Sequence, residues 1–396
     1  MRRAVVLVLL LSGCVRPAPP APAPSRTPAP APAAVWTGTW AAAVQGGGRS
    51  FGDQTLRQFV HTSIGGDAAR VRLTNEFGTE PLTVRSVRLA RTAGSDTIDP
   101  ATDRALTFGG QDVVTIPAGG TAVSDETPFP VPADADVAVT LHLPSATGPS
   151  TRHAVASRRN QVAAGDQVSA GRLTEAKTVS SWFFLSGLDV RGGEGAIVAF
   201  GASITDGLGS PRTGDGRWPD LLSDRLRASG REIGVLNTGI SGNRLTADDH
   251  GENAPGRFER DVLHRPGVRW VIISDDPLND LGATAPPPAD RLTGILRQLI
   301  AEAHSSGVRV ICSTLTPFEG AGYWTGQGES GRAAVNAFVR SDDSGCDAVL
   351  DQAAAVQDPS HPSRLLRRYD SGDHLHPSAE GLRAIADAVD LSWFTD

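Results

Sequence analysis

AIVAFGASITDG, residues 196–207, begins a pattern of strands and helices that continues through the second half of the chain. Its first five residues are apolar and have the length of a buried strand, and the glycine after them permits a sharp exit toward Ser203. Similar apolar runs recur at residues 233–237, 270–273, 308–312 and 348–351. Because helical patterns lie between these runs, we predict a parallel sheet with helices on both faces.

One of these helices shows as a clear apolar stripe. Its side chains recur at the i, i+3, i+4 and i+7 spacing that places them on one face of a helix: Leu292, Ile295, Leu296, Leu299, Ile300 and Ala303. The pattern also predicts helices at residues 218–229, 331–340 and 378–389. Ligands bind beyond the carboxyl ends of the strands in such sheets, so residues that follow strands are the candidates for a site.

The first half of the chain has a different pattern. Apolar and polar residues alternate with period two in short segments, such as residues 70–74, 82–89 and 137–143, separated by Gly, Pro and Asp. This pattern predicts an all-β sandwich, jelly-roll-like, over residues 35–192, followed by the α/β domain over residues 193–396. No nucleophile or metal motif stands out in the β-domain, so we interpret it as a packing or substrate-shaping module.

The N-terminus is typical of an export signal. Arg2 and Arg3 precede eight apolar residues, too few to span a bilayer, and the run ends in Leu-Ser-Gly-Cys14. This tetrad resembles a bacterial lipobox, which predicts a signal peptide over residues 1–14 and lipidation of Cys14. The alternative is a plain signal peptide with a chance cysteine. Residues 15–34 are rich in Pro and Ala and predict an extended tether.

Composition limits the partners. The formal net charge is −7 and no long Lys/Arg run occurs, which argues against nucleic acid as a partner. The predicted location is the outer face of the cytoplasmic membrane, or secreted, with membrane contact only through a lipid anchor at Cys14. In that compartment Cys312 and Cys346 can form a disulfide, but a buried pair of free thiols explains them equally well.

Three residues offer the groups that serine-based ester hydrolysis needs. Ser203 follows the first predicted strand of the α/β domain, where an exposed hydroxyl can act as a nucleophile. Asp373 and His376 precede the last predicted helix, and a spacing of three lets the carboxylate orient the imidazole. The imidazole can then accept the proton of Ser203.

Four sequence blocks, in this order, resemble the SGNH (GDSL-like) hydrolase superfamily. They are Gly-x-Ser-x-Thr at residues 201–205, Gly-Ile-Ser-Gly-Asn at 239–243, Asn-Asp at 279–280, and Asp-x-x-His at 373–376. The resemblance implies a flavodoxin-like sheet, a triad of Ser203, Asp373 and His376, and no cofactor or metal. It also implies an oxyanion hole formed by the backbone N–H groups of Ser203 and Gly242 with the side-chain amide of Asn279.

Two residues depart from the superfamily pattern. The residue before the nucleophile is usually Asp, which braces the site through hydrogen bonds, but here it is Ala202. The third block usually has glycine where this chain has Pro277. Proline fixes φ and lacks an N–H, so we expect a shift of the loop that presents Asn279 and a slower enzyme.

Simpler explanations exist for each residue taken alone. Ser203 can be an ordinary turn serine, Gly242 a turn glycine, and Asn279 with Asp280 the cap of a turn. A zinc site is a further alternative for Asp373, His374 and His376.

The surroundings of the site allow further alternatives. For Asp275 and Asp276 we expect solvated loop carboxylates rather than a Mg²⁺ site or pairing with Arg. The aromatic residues Phe318, Tyr323 and Trp324 follow the fourth strand, where they can overhang the cleft or pack against the β-domain.

The sequence therefore predicts a secreted or surface-tethered serine esterase that forms an acyl-enzyme on Ser203. The substrates are acyl esters of glycans, lipids or small molecules, with O-acetyl groups on carbohydrate as an attractive case. The alternatives are an acyltransferase that uses the same triad and a catalytically impaired surface binding protein.

Overall fold

A computed structural model describes Met1, Ala4, residues 35–210 and residues 215–395. The predicted cleavage region, Cys14 and the Pro/Ala-rich tether lie outside the described residues. Within the described parts, no helix is long and apolar enough to cross a membrane.

Two larger antiparallel sheets and a two-stranded one, formed by β10 and β13, build the N-terminal part. The first has the order β1-β14-β3-β7 with β8 also on β3, and the second has the order β12-β11-β2-β9-β4-β5 with β6 also on β4. Alternate apolar side chains of both sheets form one buried cluster, which includes Leu56, Val71, Leu141 and Leu188. The strands are β1 Trp36–Ala41, β2 Gln54–Thr62, β3 Gly66–Thr74, β4 Leu82–Arg91, β5 Arg104–Ala105, β6 Val113–Ile116, β7 Thr121–Val123, β8 Thr127–Val131, β9 Ala135–Leu143, β10 Arg152–His153, β11 Asn160–Ala164, β12 Lys177–Val179, β13 Trp182–Phe183 and β14 Leu185–Arg191.

A parallel sheet of five strands builds the C-terminal part, in the order β16-β15-β17-β18-β19. This order matches the flavodoxin-like type, so the predicted fold class is confirmed. The strands are β15 Gly195–Phe200, β16 Ile233–Asn237, β17 Val268–Ile273, β18 Arg309–Ser313 and β19 Ala348–Leu350; a separate hairpin consists of β20 Gln357–Asp358 and β21 His361–Leu365.

Helices pack against this sheet. They are α1 Ser203–Asp206, α2 Trp218–Ala228, α3 Ala254–Phe258, α4 Asp276–Leu281, α5 Ala289–Ser305, α6 Gly326–Val339, α7 Gln352–Val356 and α8 Ala379–Asp387. Short 3-10 turns lie at Pro100–Thr102, Asp342–Ser344, Arg367–Tyr369 and Leu391–Phe394. In α5, Leu292, Leu296 and Leu299 are buried, as the apolar stripe predicts. The strong helices and strands therefore lie within a few residues of their predicted positions.

The two parts pack closely. The predicted boundary falls between β14 and β15, but the chain from residue 34 onward forms one compact unit. β1 lies against the parallel sheet, and a Cβ at Gly38 would lie 2.8 Å from Leu236 Cδ1, so a larger residue there would require the leucine side chain to shift. That the two parts are separate domains stays a prediction.

Cys312 and Cys346 form a disulfide that links the end of β18 to the turn before β19. Of the two alternatives that the sequence left open, the structure therefore contains the bonded pair.

Candidate active site

The turn that follows β15 presents Ser203. The strand ends at Phe200, and Ser203 is the first residue of α1. A Cβ at Gly201 would lie 2.4 Å from both Asp275 Oδ1 and Thr205 Oγ1, so the turn requires glycine at this position. The Ser203 residue is 7% exposed, which places its hydroxyl at the floor of a cavity.

The structure brings Ser203, His376 and Asp373 together. His376 Nε2 lies 2.9 Å from Ser203 Oγ, and His376 Nδ1 lies 2.6 Å from Asp373 Oδ2. The other oxygen of Asp373 accepts hydrogen bonds from the backbone N–H groups of His376 and Leu375. Burial raises the pKa of Asp373, but the hydrogen bonds from the His376 ring and from these N–H groups outweigh it and lower the pKa to about 2. The carboxylate is therefore ionised at neutral pH and can hold the ring through Nδ1–H.

His374 points to a different carboxylate. Its Nδ1 lies 2.6 Å from Asp370 Oδ2, and its backbone N–H donates to Asp370 Oδ1. Its φ of +63° turns the loop so that the side chains of His374 and His376 take different partners. This geometry separates the residues that the zinc alternative would need to bring together.

Among the described residues, only His61, Asp136 and Asp215 place three metal-ligating atoms within 4.8 Å of one another. Arg158 forms ion pairs with both of these carboxylates. The single positive charge of Arg158 therefore already offsets one of the two negative charges of the cluster.

The groups predicted for the oxyanion hole lie on the wall of the same cavity. Gly242 has a φ of +84°, and a Cβ there would lie 2.5 Å from His250 Cδ2. Asn279 lies on α4, and its Nδ2 donates one hydrogen bond to the carbonyl of Asn243, 2.9 Å away. Within residues 35–210 and 215–395, no acceptor engages the N–H of Ser203 or of Gly242. Both donors are thus available to a substrate oxygen.

Pro277 does not remove Asn279 from the cavity. It lies in the first turn of α4, where a missing N–H leaves no intrahelical hydrogen bond unmade. The carboxylate of Asp280 accepts hydrogen bonds from the backbone N–H groups of Leu245 and Thr246, which ties α4 to the loop of Gly242. The displacement that we expected from proline is therefore avoided.

The expectation that Asp275 and Asp276 are solvated is wrong. They are 3% and 0% exposed, respectively. Asp275 accepts hydrogen bonds from the turn around Ser203, and Asp276 Oδ1 lies 3.2 Å from Arg257 Nη2. Burial raises the pKa of Asp276 to about 7, and the charge of Arg257 limits the rise. Both carboxylates lie behind the site rather than in solvent.

Arg257, which the sequence did not single out, connects the loops of the site. It is 0% exposed and donates to the carbonyl oxygens of Gly201 and Thr238, at 2.9 and 2.7 Å. It also donates to Asn243 Oδ1 at 2.8 Å and forms the ion pair with Asp276. Its guanidinium therefore holds the loops that follow β15, β16 and β17.

The N-terminal β-part reaches the site through His153. Its Nδ1 lies 2.8 Å from the carbonyl oxygen of Ala43, and its Nε2 lies 3.1 Å from Asp206 Oδ1. Asp206, at the end of α1, accepts hydrogen bonds from the N–H and hydroxyl of Ser241, next to Gly242. A histidine of the β-part thus contacts the carboxylate that holds the predicted oxyanion loop.

A cavity of about 320 Å³ opens above Ser203 and His376. Its apolar wall comes from both parts of the chain: Ala154, Val155, Leu208, Tyr323 and Leu375. Of the three aromatic residues considered above, Tyr323 lines this cavity, Phe318 belongs to the buried cluster of the α/β part, and Trp324 is half-buried against that cluster.

Comparison with known proteins finds one family whose model matches the α/β part of the chain. Residues 199–384 match the GDSL-like lipase/acylhydrolase family, so the resemblance inferred from the four blocks is confirmed for this part of the chain. No curated protein matches the chain.

Similar solved structures include a GDSL-like lipase from Bacteroides thetaiotaomicron, 19% identical over 50% of this chain and 88% of that chain, with a TM-score of 0.38. Another is an acetylxylan esterase from Geobacillus stearothermophilus, 21% identical over 52% of this chain and 96% of that chain, with a TM-score of 0.38.

Proposed function

We propose that the protein is an ester hydrolase that works through a covalent acyl-enzyme on Ser203, which lies in the region, residues 199–384, that matches the GDSL-like lipase/acylhydrolase family. The observation that carries the proposal is the continuous chain of contacts from Ser203 Oγ through His376 to Asp373, at 2.9 and 2.6 Å. A hydroxyl, a base and an orienting carboxylate in this arrangement are the components of nucleophilic acyl transfer.

In the first half-reaction, His376 Nε2 accepts the proton of Ser203 as Oγ attacks the ester carbonyl carbon. The carbonyl oxygen becomes an oxyanion, to which the N–H groups of Ser203 and Gly242 and the amide of Asn279 donate hydrogen bonds. His376 then gives the proton to the leaving alkoxide, and the alcohol departs. Asp373 stays ionised and stabilises the protonated ring.

In the second half-reaction, water attacks the acyl-enzyme. His376 takes a proton from the water, the acid is released, and Ser203 Oγ receives the proton back. The products are one carboxylic acid and one alcohol, and no cofactor takes part.

We further propose that the substrates are short acyl esters of polar alcohols, such as O-acetyl groups on carbohydrate. The catalytic cavity, of about 320 Å³, suits a small acyl group against its apolar wall. A second cavity of about 730 Å³ shares Ala154, Val155 and Leu208 with it and carries the polar side chains of Arg159 and Ser180. Arg159 and Ser180 offer hydrogen-bond donors to a hydroxyl-rich leaving group beside the catalytic cavity.

Export and lipid anchoring at Cys14 are part of the proposal. The Cys312–Cys346 disulfide supports export, because disulfides persist in oxidising compartments. If Cys14 is the anchor, Cys14→Ala should move the protein from the membrane fraction to the medium or to the soluble fraction. Retention of the variant in the membrane fraction would contradict the anchor.

The proposed activity is tested with p-nitrophenyl acetate and with acetylated glycans. We expect turnover by the wild-type chain, loss of turnover in Ser203→Ala, and no loss in the control Ser223→Ala, since Ser223 lies on α2 and is not among the described residues that line the catalytic cavity. Equal rates for Ser203→Ala and wild type would reject the nucleophile. Acyl transfer to an added alcohol in preference to water would identify an acyltransferase instead.

A further inference from the structure

Asp275 is a buried carboxylate beside the turn of Ser203 that takes no part in the proton transfers described above. It follows β17, which pairs in parallel with β15, so the ends of the two strands lie side by side. The residue is 3% exposed. A buried carboxylate is stable only when its oxygens are well supplied with donors.

The donors of Asp275 come from the residues around the nucleophile. Asp275 Oδ1 accepts the backbone N–H of Ala202 at 3.0 Å and the hydroxyl of Thr205 at 2.6 Å. Asp275 Oδ2 accepts the backbone N–H of Ile204 at 2.8 Å. Since Ala202 and Ile204 are the chain neighbours of Ser203, one carboxylate fixes the backbone on both sides of the nucleophile.

The turn is built around this carboxylate. A Cβ at Gly201 would lie 2.4 Å from Asp275 Oδ1, so the carboxylate packs directly against the backbone of the turn. The next residue, Ala202, has no polar side chain, although the superfamily pattern usually has Asp there. The chain therefore lacks a carboxylate on the turn itself and has one on the neighbouring strand end.

We propose that Asp275 is a positioning residue for the nucleophile, and that it takes over from the end of β17 the bracing that the residue before the serine usually supplies. The inference rests on the proposed function, in which Ser203 is the nucleophile. Charge-assisted hydrogen bonds to both neighbours hold Ser203 Oγ at the distance that transfer of its proton to His376 requires. A displacement of about 1 Å can lower a rate roughly 100-fold.

The first test compares kcat and KM of three variants of the full chain with p-nitrophenyl acetate. We expect Asp275→Ala to lose about 100-fold in kcat with KM unchanged. Asp275→Asn should fall between this variant and wild type, because its amide keeps one acceptor oxygen and turns an N–H group toward Ile204. The matched control is Asp189→Ala in the β-part, a carboxylate 1% exposed and bonded to Arg72, which should unfold more easily but keep its kcat.

Wild-type kcat in folded Asp275→Ala would overturn the inference while leaving the proposed function intact. Absence of turnover in the wild-type chain would instead overturn the proposed function. If Asp275→Ala does not fold, Asp275→Asn carries the test, and an unchanged kcat in that variant also overturns the inference.

The second test exchanges the position of the carboxylate. In the wild-type background, Ala202→Asp puts a second carboxylate beside Asp275 in a buried site, where the two repel each other, so kcat should fall. In the Asp275→Ala background the same substitution restores a carboxylate to the turn, so kcat should rise. If Ala202→Asp changes kcat in the same direction in both backgrounds, the carboxylate of Asp275 does not replace one at position 202, and the inference is wrong.

Discussion

Arg257 provides the most demanding prediction, because its side chain serves several loops at once. Arg257→Met removes hydrogen bonds to the carbonyl oxygens of Gly201 and Thr238 and to the amide oxygen of Asn243. It also leaves the carboxylate of Asp276 buried without its cation. The flexible thioether of methionine fills much of the volume, so the loss is chiefly polar.

The magnitude follows from the burial of this pair. Both Arg257 and Asp276 are 0% exposed, and removal of one partner of a buried ion pair lowers the free energy of unfolding by about 3–5 kcal/mol. In addition, kcat should fall, since the loops that carry Ser203 and Gly242 lose their common contact. Arg257→Lys should recover little of the lost stability or of the lost kcat. The acceptors around residue 257 are spaced to fit the several N–H groups of a planar guanidinium, and the single ammonium group of lysine cannot reach all of them.

Urea denaturation and ester turnover measure the two effects separately. The matched control is Arg57→Met in the β-part, since Arg57 is also 0% exposed and donates to the carbonyl oxygens of Ala170 and Gly171. It should lose stability but keep kcat. Equal kcat values for Arg257→Met and wild type, measured on folded protein, would refute the argument that Arg257 organises the site.

Three further predictions concern pH, the disulfide and the contact between the two parts of the chain. Because the pKa of Asp276 is raised to about 7 in the folded state, its ionisation lowers the free energy of unfolding as pH rises from about 4 to 7. Asp276→Asn should reduce this fall in urea titrations at pH 5 and pH 8, and an unchanged slope would contradict the raised pKa. Replacement of Cys312 and Cys346 by alanine should lower the free energy of unfolding by about 2–4 kcal/mol without a change in kcat, and equal denaturation midpoints would contradict this. His153→Leu leaves Asp206 buried without the imidazole, so both stability and kcat should fall, whereas a normal kcat would show that the β-part does not support the site.

Much of the α/β part could be predicted because its signals are local. The apolar runs of β15 to β19 and the apolar stripe on α5 are buried, and buried segments can be recognised in the sequence by the spacing of their apolar residues. The meeting of Ser203 with Asp373 and His376 was predicted from the resemblance of the four sequence blocks to the superfamily, because only Ser203 follows a strand of the parallel sheet, whereas Asp373 and His376 precede the last helix. The sequence could also have shown that Pro277 does not displace Asn279, because proline is common in the first turn of a helix.

The supports of the site could not be predicted from the sequence. Asp275 and Arg257 look like loop residues in the sequence. Their partners are mostly backbone N–H and carbonyl groups, which every residue has, so the sequence does not show which of them these side chains contact. The partners of Arg257 lie on loops after three different strands and approach one another only once the sheet has formed. His153 illustrates the same difficulty across the two parts of the chain, because no local pattern relates residue 153 to Asp206.

In the proposed mechanism, the imidazole of His376 activates the hydroxyl of Ser203 at the edge of the parallel sheet. Mass spectrometry after brief incubation with a fluorophosphonate tests it most directly. We predict one adduct per chain on the peptide that contains Ser203, and a much slower formation of this adduct in His376→Ala. An adduct on another residue, or equal labelling rates in the two proteins, would contradict the account.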